Sequence, residues 1–215
     1  MEITYLGHSS FRIRGKIATV VTDPFDPQVV GLKLPKHVEA DIVTISHEHK
    51  DHNYTSGING SPFVVRGPGE YEIMGIGIVG LSMFHDAKKG AERGKNTVYR
   101  LEVDGVSIVH MGDLGHILSS EQVDEIDGVD IVMIPVGGKH TINAVQAVSI
   151  INEIEPSIVI PMHYDRPGLN KEYCGGLAPI ADFLKEFGKD DSVPQSKLII
   201  TKDKLPAETQ VVILE

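Results

Sequence analysis

The chain has 215 residues, of which 41% are hydrophobic, and its 30 acidic and 20 basic side chains give a formal net charge of −10. This length suits one domain, residues 1–215, with a substantial buried core. The acidic balance argues against binding to nucleic acid or to an anionic membrane, because phosphates are bound through Lys and Arg. The single cysteine excludes an internal disulfide framework and fits a reducing compartment.

The sequence shows no signal for export or membrane insertion. No basic, apolar leader precedes the first strand pattern, and no apolar stretch reaches the ~18–20 residues of a membrane span. We therefore expect a cytoplasmic protein that does not bind a membrane. A homo-oligomer is compatible with the sequence.

The amino-terminal half is predicted to be rich in strands. Residues 2–13 and 17–21 indicate paired strands with a turn at Arg14 and Gly15. Residues 41–46 form a β-branched, apolar run of strand length. Residues 98–103 and 106–110 indicate a hairpin across Asp104 and Gly105.

The carboxyl-terminal half alternates between strand and helix patterns. Residues 129–134 and 157–162 indicate buried strands, a helix begins near Asn143 and ends before Pro156, and the alternation continues through residues 178–187. This order of elements favours a layered α/β sandwich. The predicted apolar face of the helix consists of Ala144, Val145, Ala147, Val148, Ile151 and Ile154.

The segment that follows strand 41–46 is the richest in metal-binding side chains. It places His47, His49, Asp51 and His52 within six residues. Imidazole and carboxylate groups bind zinc and related transition metals, and this spacing can serve two adjacent cations. A buried cluster of imidazoles without a metal would repel on protonation. The segment therefore predicts a metal site with hydrolytic chemistry.

Three further candidate ligands lie downstream. Asp113 follows the predicted hairpin between two glycines, which let the backbone turn sharply; an Asx turn is the alternative interpretation. His163 follows strand 157–162. Because His47, Asp113 and His163 each come just after a buried strand, we expect them on one rim of the fold. His85 precedes a polar, glycine-bearing loop, and its own surroundings do not set it apart from other histidines.

The arrangement His47, His49, Asp51 and His52 is the HxHxDH signature, in which the chain resembles the metallo-β-lactamase superfamily. Residues 4–11, TYLGHSSF, resemble the branch containing ascorbate-phosphate lactonases and many uncharacterised hydrolases. The resemblance runs nearly end to end. It implies an α/β (α+β) fold of four layers, an αββα sandwich with metals at one edge of two central sheets.

The resemblance also implies a centre of two divalent cations, with zinc expected and manganese or iron as alternatives. Two cations can lower the pKa of water toward ~7, so that a metal-bound hydroxide cleaves an ester, lactone or phosphodiester bond. Asp51 is the expected catalytic residue, orienting the nucleophile or carrying a proton. In this assignment His47, His49 and His85 bind the first ion, Asp51, His52 and His163 bind the second, and Asp113 bridges them.

The other histidines are not assigned to the ligand set, although His110 and His116 are the alternatives to His85. His8, His37 and His140 are not expected to bind the metals. His110 is interpreted as supporting the turn before Asp113 or packing within its strand, and His116 as a contact of a ligand.

The expected substrate is a small molecule, and an anionic group on it is left open. Basic residues follow His85 and also a central strand, where they could bind carboxylate or phosphate; a solvated loop is the alternative. These residues are Lys88, Lys89, Arg93 and Lys95 in the first loop, and Lys139, His140 and Thr141 in the second. Cys174 has no partnered histidine nearby in sequence and is not expected to be a nucleophile.

Three other functions stay open. A non-catalytic metal-binding or sensing protein would use the same ligands. A metal-dependent nuclease usually carries an added nucleic-acid-binding region, for which 215 residues leave little room. A di-iron redox protein of the same fold typically has a carboxylate at the position of His49.

Overall fold

The computed structural model describes residues 1–189 and 192–215 and contains two β-sheets with α-helices. The first sheet comprises β1 (Glu2–Gly7), β2 (Ser10–Arg14), β3 (Thr19–Thr22), β4 (Ile42–Ile45), β5 (Phe63–Arg66) and β12 (Leu198–Ile199), in the order β12-β1-β2-β3-β4-β5. The second comprises β6 (Gly69–Ile73), β7 (Ile76–Phe84), β8 (Lys95–Val103), β9 (Val106–His110), β10 (Ile131–Pro135), β11 (Ile158–Met162) and β13 (Gln210–Val211), in the order β13-β11-β10-β9-β8-β7-β6. The helices are α1 (Pro27–Val30), α2 (Ser120–Ile126), α3 (Ala144–Ile154), α4 (Lys171–Cys174) and α5 (Ile180–Phe187).

The main core lies between the two sheets. Ile13 and Val20 of the first sheet belong to the same buried cluster as Leu101 and Ile131 of the second. Successive residues of a strand point to opposite faces, so Val21 instead joins a cluster on the outer face of the first sheet. Helices α2, α3 and α5 cover the outer face of the second sheet. The predicted layered α/β sandwich is confirmed.

Strand direction brings several strand ends to one edge. β8 is antiparallel to both β7 and β9, and β9, β10 and β11 are parallel, so β7, β9, β10 and β11 all run the same way. In the first sheet, β1 and β3 are both antiparallel to β2, and β4 is parallel to β3. The loops that follow the carboxyl ends of these strands therefore lie at a common edge of each sheet.

The predicted hairpin and helix start are confirmed by backbone geometry. Asp104 and Gly105 have φ of 52° and 78°, the left-handed pair of a tight hairpin turn. Asn143 caps α3: its side chain accepts from the N–H of Gln146, whose side chain accepts from the N–H of Asn143. One detail of the α3 face is wrong, because Val145 is 60% exposed and Ile150 is buried in its place.

The interpretation of residues 2–13 as one strand is also wrong. Gly7 has φ of 122° and His8 has φ of 55°, and the chain reverses there so that β1 pairs antiparallel with β2. Glycine adopts this conformation readily, whereas histidine rarely does. The reversal moves His8 out of a strand and onto the edge where the other loops meet.

Among residues 1–189 and 192–215, the search for an apolar helix of membrane-spanning length finds none.

Candidate metal centre

The candidate ligands lie on loops that follow strands of the same direction. In the first sheet, His8 follows β1, Asp23 follows β3 and the segment 46–52 follows β4. In the second, His85, Asp113 and His163 follow β7, β9 and β11. All seven residues predicted as ligands are brought together at this edge. They are His47, His49, Asp51, His52, His85, Asp113 and His163.

His47, His49 and His85 form the first group of donor atoms. One ring nitrogen from each lies within 4.8 Å of the others. The Ser46 hydroxyl lies 2.9 Å from His47 Nδ1, which leaves His47 Nε2 for a ligand. Burial and the neighbouring His52 lower the pKa of His47 to about 3, so its ring is the neutral form that binds metals.

Asp51, His52 and His163 form a second group, which also contains His8. Their donor atoms lie within 4.8 Å of one another. Asp51 Oδ2 is 3.2 Å from His8 Nε2 and 3.5 Å from His52 Nε2. The turn that holds this segment is closed by the N–H of His52, which donates to the carbonyl of His49 at 2.9 Å.

Asp113 lies between the two groups. Its Oδ2 is 3.4 Å from His85 Nε2, and it is 3.3 Å from both His52 Nε2 and His163 Nε2. One carboxylate therefore contacts a histidine of the first group and two of the second. A group in this position can bind two cations at once.

The loop carrying Asp113 is fixed by a glycine and an asparagine. Asn96 Oδ1 accepts from the N–H of Asp113 at 2.9 Å, and its Nδ2 donates to the carbonyl of Met111. Gly112 has φ of 54°, and a Cβ there would come within 2.5 Å of both Asn96 Oδ1 and Ser46 Cβ. Only glycine permits this approach of the two loops.

Asp23 contacts residues of the centre, and the sequence analysis did not predict this role. Its carboxylate is fully buried; Oδ2 accepts from His52 Nδ1 at 2.8 Å and from the Ser46 hydroxyl, and Oδ1 accepts from the N–H of Ser46 at 2.8 Å. A carboxylate on one ring nitrogen of a metal-binding histidine fixes the tautomer that presents the other nitrogen. Its position after β3 is the same strand-end signal that marks His47.

His8 lies closer to the centre than expected. Its carbonyl accepts from the Tyr5 hydroxyl at 2.7 Å and from the N–H of His163 at 3.0 Å, which joins the loops of the two sheets. Its buried ring is 4.3 Å from that of His163, centroid to centroid. Burial and His163 lower its pKa to about 4, so it too is neutral near pH 7.

The remaining histidines occupy supporting or outer positions. His110 is buried and its Nε2 donates to the carbonyl of Ser9 at 2.8 Å, so it supports the turn after β1. His116 Nε2 accepts from the N–H of Phe84, the residue before His85, at 3.3 Å. His37 is exposed.

The electrostatics of the cluster couple its acids to its imidazoles. Burial alone would raise the pKa of Asp113, but His163 and His52 hold it well below its usual range. Burial would lower the pKa of His52, but the Asp113 and Asp51 carboxylates raise it well above the ordinary value. The carboxylates and His52 therefore favour each other's charged forms.

The donor set fits transition-metal ions. His47 Nε2, His52 Nε2 and Asp113 Oδ1 are buried and make no hydrogen bond within residues 1–189 and 192–215. Buried polar atoms are otherwise almost always paired. Imidazole nitrogen and carboxylate oxygen with free lone pairs are ligands for zinc, manganese and iron.

A cavity of about 250 Å³ opens above the cluster. Of the basic loop residues considered from the sequence, Arg93, Lys139 and His140 line it, whereas Lys95 lines a neighbouring cleft. Cys174 also lines the cavity, but burial and then Asp51 raise its pKa to about 11, so its thiol stays protonated at neutral pH.

Comparison with known proteins defines the class of this fold and site. Residues 2–163 match the protein-family model described as the beta-lactamase superfamily domain. A crystal structure from Thermotoga maritima, described as a candidate zinc-dependent hydrolase of the metallo-β-lactamase superfamily, is 36% identical, with a TM-score of 0.79 and coverage of 100% of this chain and 98% of that one. The chain belongs to the metallo-β-lactamase superfamily.

Two curated relatives within this superfamily carry a more specific name, UPF0173 metal-dependent hydrolase. The one from Staphylothermus marinus is 29% identical over 96% of this chain and 97% of its own length. The one from Thermococcus onnurineus is 28% identical over 77% of this chain and 85% of its own length.

Proposed function

We propose that this metal-dependent hydrolase of the metallo-β-lactamase fold works through two metal ions. His47, His49 and His85 would hold the first, and Asp51, His52 and His163 would hold the second, to which His8 would add a donor. Asp113 would contribute to both sites. The observation that carries the proposal is the position of Asp113 Oδ2, within 3.4 Å of His85 and 3.3 Å of His52 and His163. Zinc suits this set of imidazoles and carboxylates, and manganese or iron are alternatives.

Two bound ions would supply Lewis-acid chemistry: they would polarise the substrate and would make a hydroxide nucleophile available near neutral pH, because metals lower the pKa of water toward ~7. Asp51 has the geometry to orient the nucleophile or move a proton beside it. Tyr173 donates its hydroxyl to Asp51 Oδ1 at 3.3 Å, while Oδ2 faces His8 and His52. Burial and then Asp51 raise the pKa of Tyr173 to about 12, so it remains a donor and holds the carboxylate in place.

The cavity supports a small substrate. Its volume, about 250 Å³, lies below the ~300–1,000 Å³ of sites for drug-sized ligands. We propose an ester, lactone or phosphodiester of a small molecule. The net charge of −10 argues against nucleic acid, and a cytoplasmic location stays a prediction.

The test is to strip the protein with a chelator, reload it with zinc, manganese or iron, and assay a lactone, a carboxylic ester and a phosphodiester. We expect hydrolysis to return with metal and to be lost in His49→Ala. His37→Ala, the same change at an exposed histidine away from the cluster, should keep wild-type activity. Metal binding without turnover of any substrate would instead support a sensing protein, and cleavage confined to nucleic acid would support a nuclease.

A further inference from the structure

Arg93 places a guanidinium group at the cavity and forms no ion pair with an acidic side chain of residues 1–189 and 192–215. It lines the cavity above the metal-binding cluster. Within the described part of the chain, its guanidinium has no carboxylate within the 4.0 Å of an ion pair, although other cations of the same region do: Lys88 pairs with Glu92 at 2.6 Å, and Arg66 pairs with Glu48. The chain has 30 acidic residues, so an arginine that meets none of the described carboxylates beside a cavity can bind an anion from outside the protein.

The loop that presents Arg93 is built around one buried carboxylate. Asp86 accepts from the backbone N–H groups of Lys88 at 2.8 Å, Gly90 at 2.9 Å, Glu92 at 3.1 Å and Arg93 at 2.8 Å. Charge-assisted bonds to backbone N–H groups are among the stronger hydrogen bonds in proteins. The backbone position of Arg93 is therefore fixed by Asp86, in contrast to a freely solvated loop.

The side chain of Arg93 is held by a neutral group. Its Nη2 donates to His140 Nε2 at 3.1 Å, and arginine can only donate, so this nitrogen carries no proton. Burial, with Arg93 and Lys139 nearby, lowers the pKa of His140 to about 4. The contact orients the guanidinium without neutralising it, and among the described residues the other N–H donors of the side chain meet no acceptor, so they can bind a ligand.

A second cation approaches from the loop after β10. Lys139 lines the same cavity, and its ammonium donates to the carbonyl of Gly175 and, at 3.4 Å, to that of Tyr173. An ammonium has three N–H donors, so one remains after these two contacts. Both partners of Lys139 are uncharged, as is the partner of Arg93.

We propose that Arg93, assisted by Lys139, binds a carboxylate or phosphate group carried by the substrate next to the bond that is cleaved. The proposal rests on the proposed hydrolase function and narrows its substrate class to small anionic esters or lactones. Guanidinium groups bind such oxyanions through two parallel N–H donors. Asp86 and His140 are positioning residues that act through Arg93.

The first test compares two esters that differ in one charge. 4-Nitrophenyl butyrate is neutral, and mono-4-nitrophenyl succinate replaces its terminal methyl with a carboxylate. We expect the metal-loaded wild type to favour the succinate ester in kcat/KM, and Arg93→Met to reduce that preference about tenfold or more, mainly through KM. Lys88→Met removes the same charge from the same loop and should keep the preference. Asp86→Asn should raise KM for the succinate ester with little change in kcat.

The second test needs no turnover. Methylphosphonate and acetate are titrated into metal-free protein by calorimetry, and the tighter of the two identifies phosphate or carboxylate as the preferred group. Arg93→Met should weaken that binding about tenfold or more, and Lys88→Met should leave it unchanged. This loss of binding, together with inactivity toward every ester, would support the anion site while contradicting the hydrolase function. Ester hydrolysis without charge preference, with anion binding equal in wild type and Arg93→Met, would overturn the anion site alone.

Discussion

Replacing Asp23 with asparagine should disable His52 as a metal ligand while nearly preserving the shape of the site. In the wild type, His52 Nδ1 donates to Asp23 Oδ2 at 2.8 Å, so Nε2 is the nitrogen that faces the cluster and would bind a metal ion. In Asp23→Asn, the amide oxygen still accepts from the N–H of Ser46, which orients the NH₂ group toward His52. The ring must then accept at Nδ1 and carry its proton on Nε2, which cannot bind a metal in that form.

The expected loss is about 10- to 100-fold in affinity for the second ion, which corresponds to about 1.4 to 2.8 kcal/mol. Zinc titration against a competing chelator measures it, and ¹⁵N NMR of the histidine rings reports the tautomer of His52. Asp41→Asn is the matched control: Asp41 accepts from the N–H of Thr19 at 2.8 Å at the opposite end of β4 and is exposed. Wild-type zinc affinity in Asp23→Asn, with the proton still on Nδ1, would refute the reasoning.

Three further predictions concern the ligands and the Arg93 loop. His85→Ala should lose the first ion. His110→Ala, which removes a buried ring bonded to the backbone carbonyl of Ser9, should keep most of its metal. Metal analysis of both variants decides, and the reverse order would contradict the assignment. Asp113→Asn should fold, by circular dichroism, but lose affinity for both ions by at least ~10-fold and turn over poorly; unchanged metal content would remove it from the centre. The Asp86 carboxyl has its pKa lowered to about 2, since backbone N–H groups outweigh burial. Its stabilisation of the loop is therefore complete above the unfolded pKa of ~3.9 and lost as the pH falls through about 2; a ¹³C NMR midpoint near 3.9 would contradict this.

The position of the candidate ligands just after buried strands explains how much of the site could be predicted from sequence. His47, Asp113 and His163 follow runs of buried, β-branched residues, and parallel neighbours place such ends together. His85 follows β7, whose direction depends on its antiparallel pairing with β8. That pairing is a long-range contact, and no local pattern around His85 reveals it.

His8 and Asp23 show where sequence reasoning failed. The apolar pattern of residues 2–13 continues across the reversal, because Tyr5 and Phe11 are both buried on the core side of paired strands. The turn depends on the backbone of Gly7 and His8, which the pattern does not encode. Asp23 could have been found, since it directly follows β3 as His47 closely follows β4.

The basic loop after His85 shows that composition does not predict which charged residue lines the cavity. Four cations lie close together in sequence, and charge alone does not distinguish among them. Of these four residues, Arg93 is the one that lines the cavity above the cluster. The N–H groups of the loop converge on Asp86, which fixes the backbone of Arg93, and the Arg93 side chain contacts His140.

Anomalous diffraction at the zinc edge, from crystals grown with saturating zinc, tests the two-ion centre most directly. The account predicts two peaks per chain, one beside His47, His49 and His85, the other beside Asp51, His52 and His163, with Asp113 contacting both. A single peak at full occupancy, with metal analysis giving one ion per chain for zinc, manganese and iron alike, would contradict it.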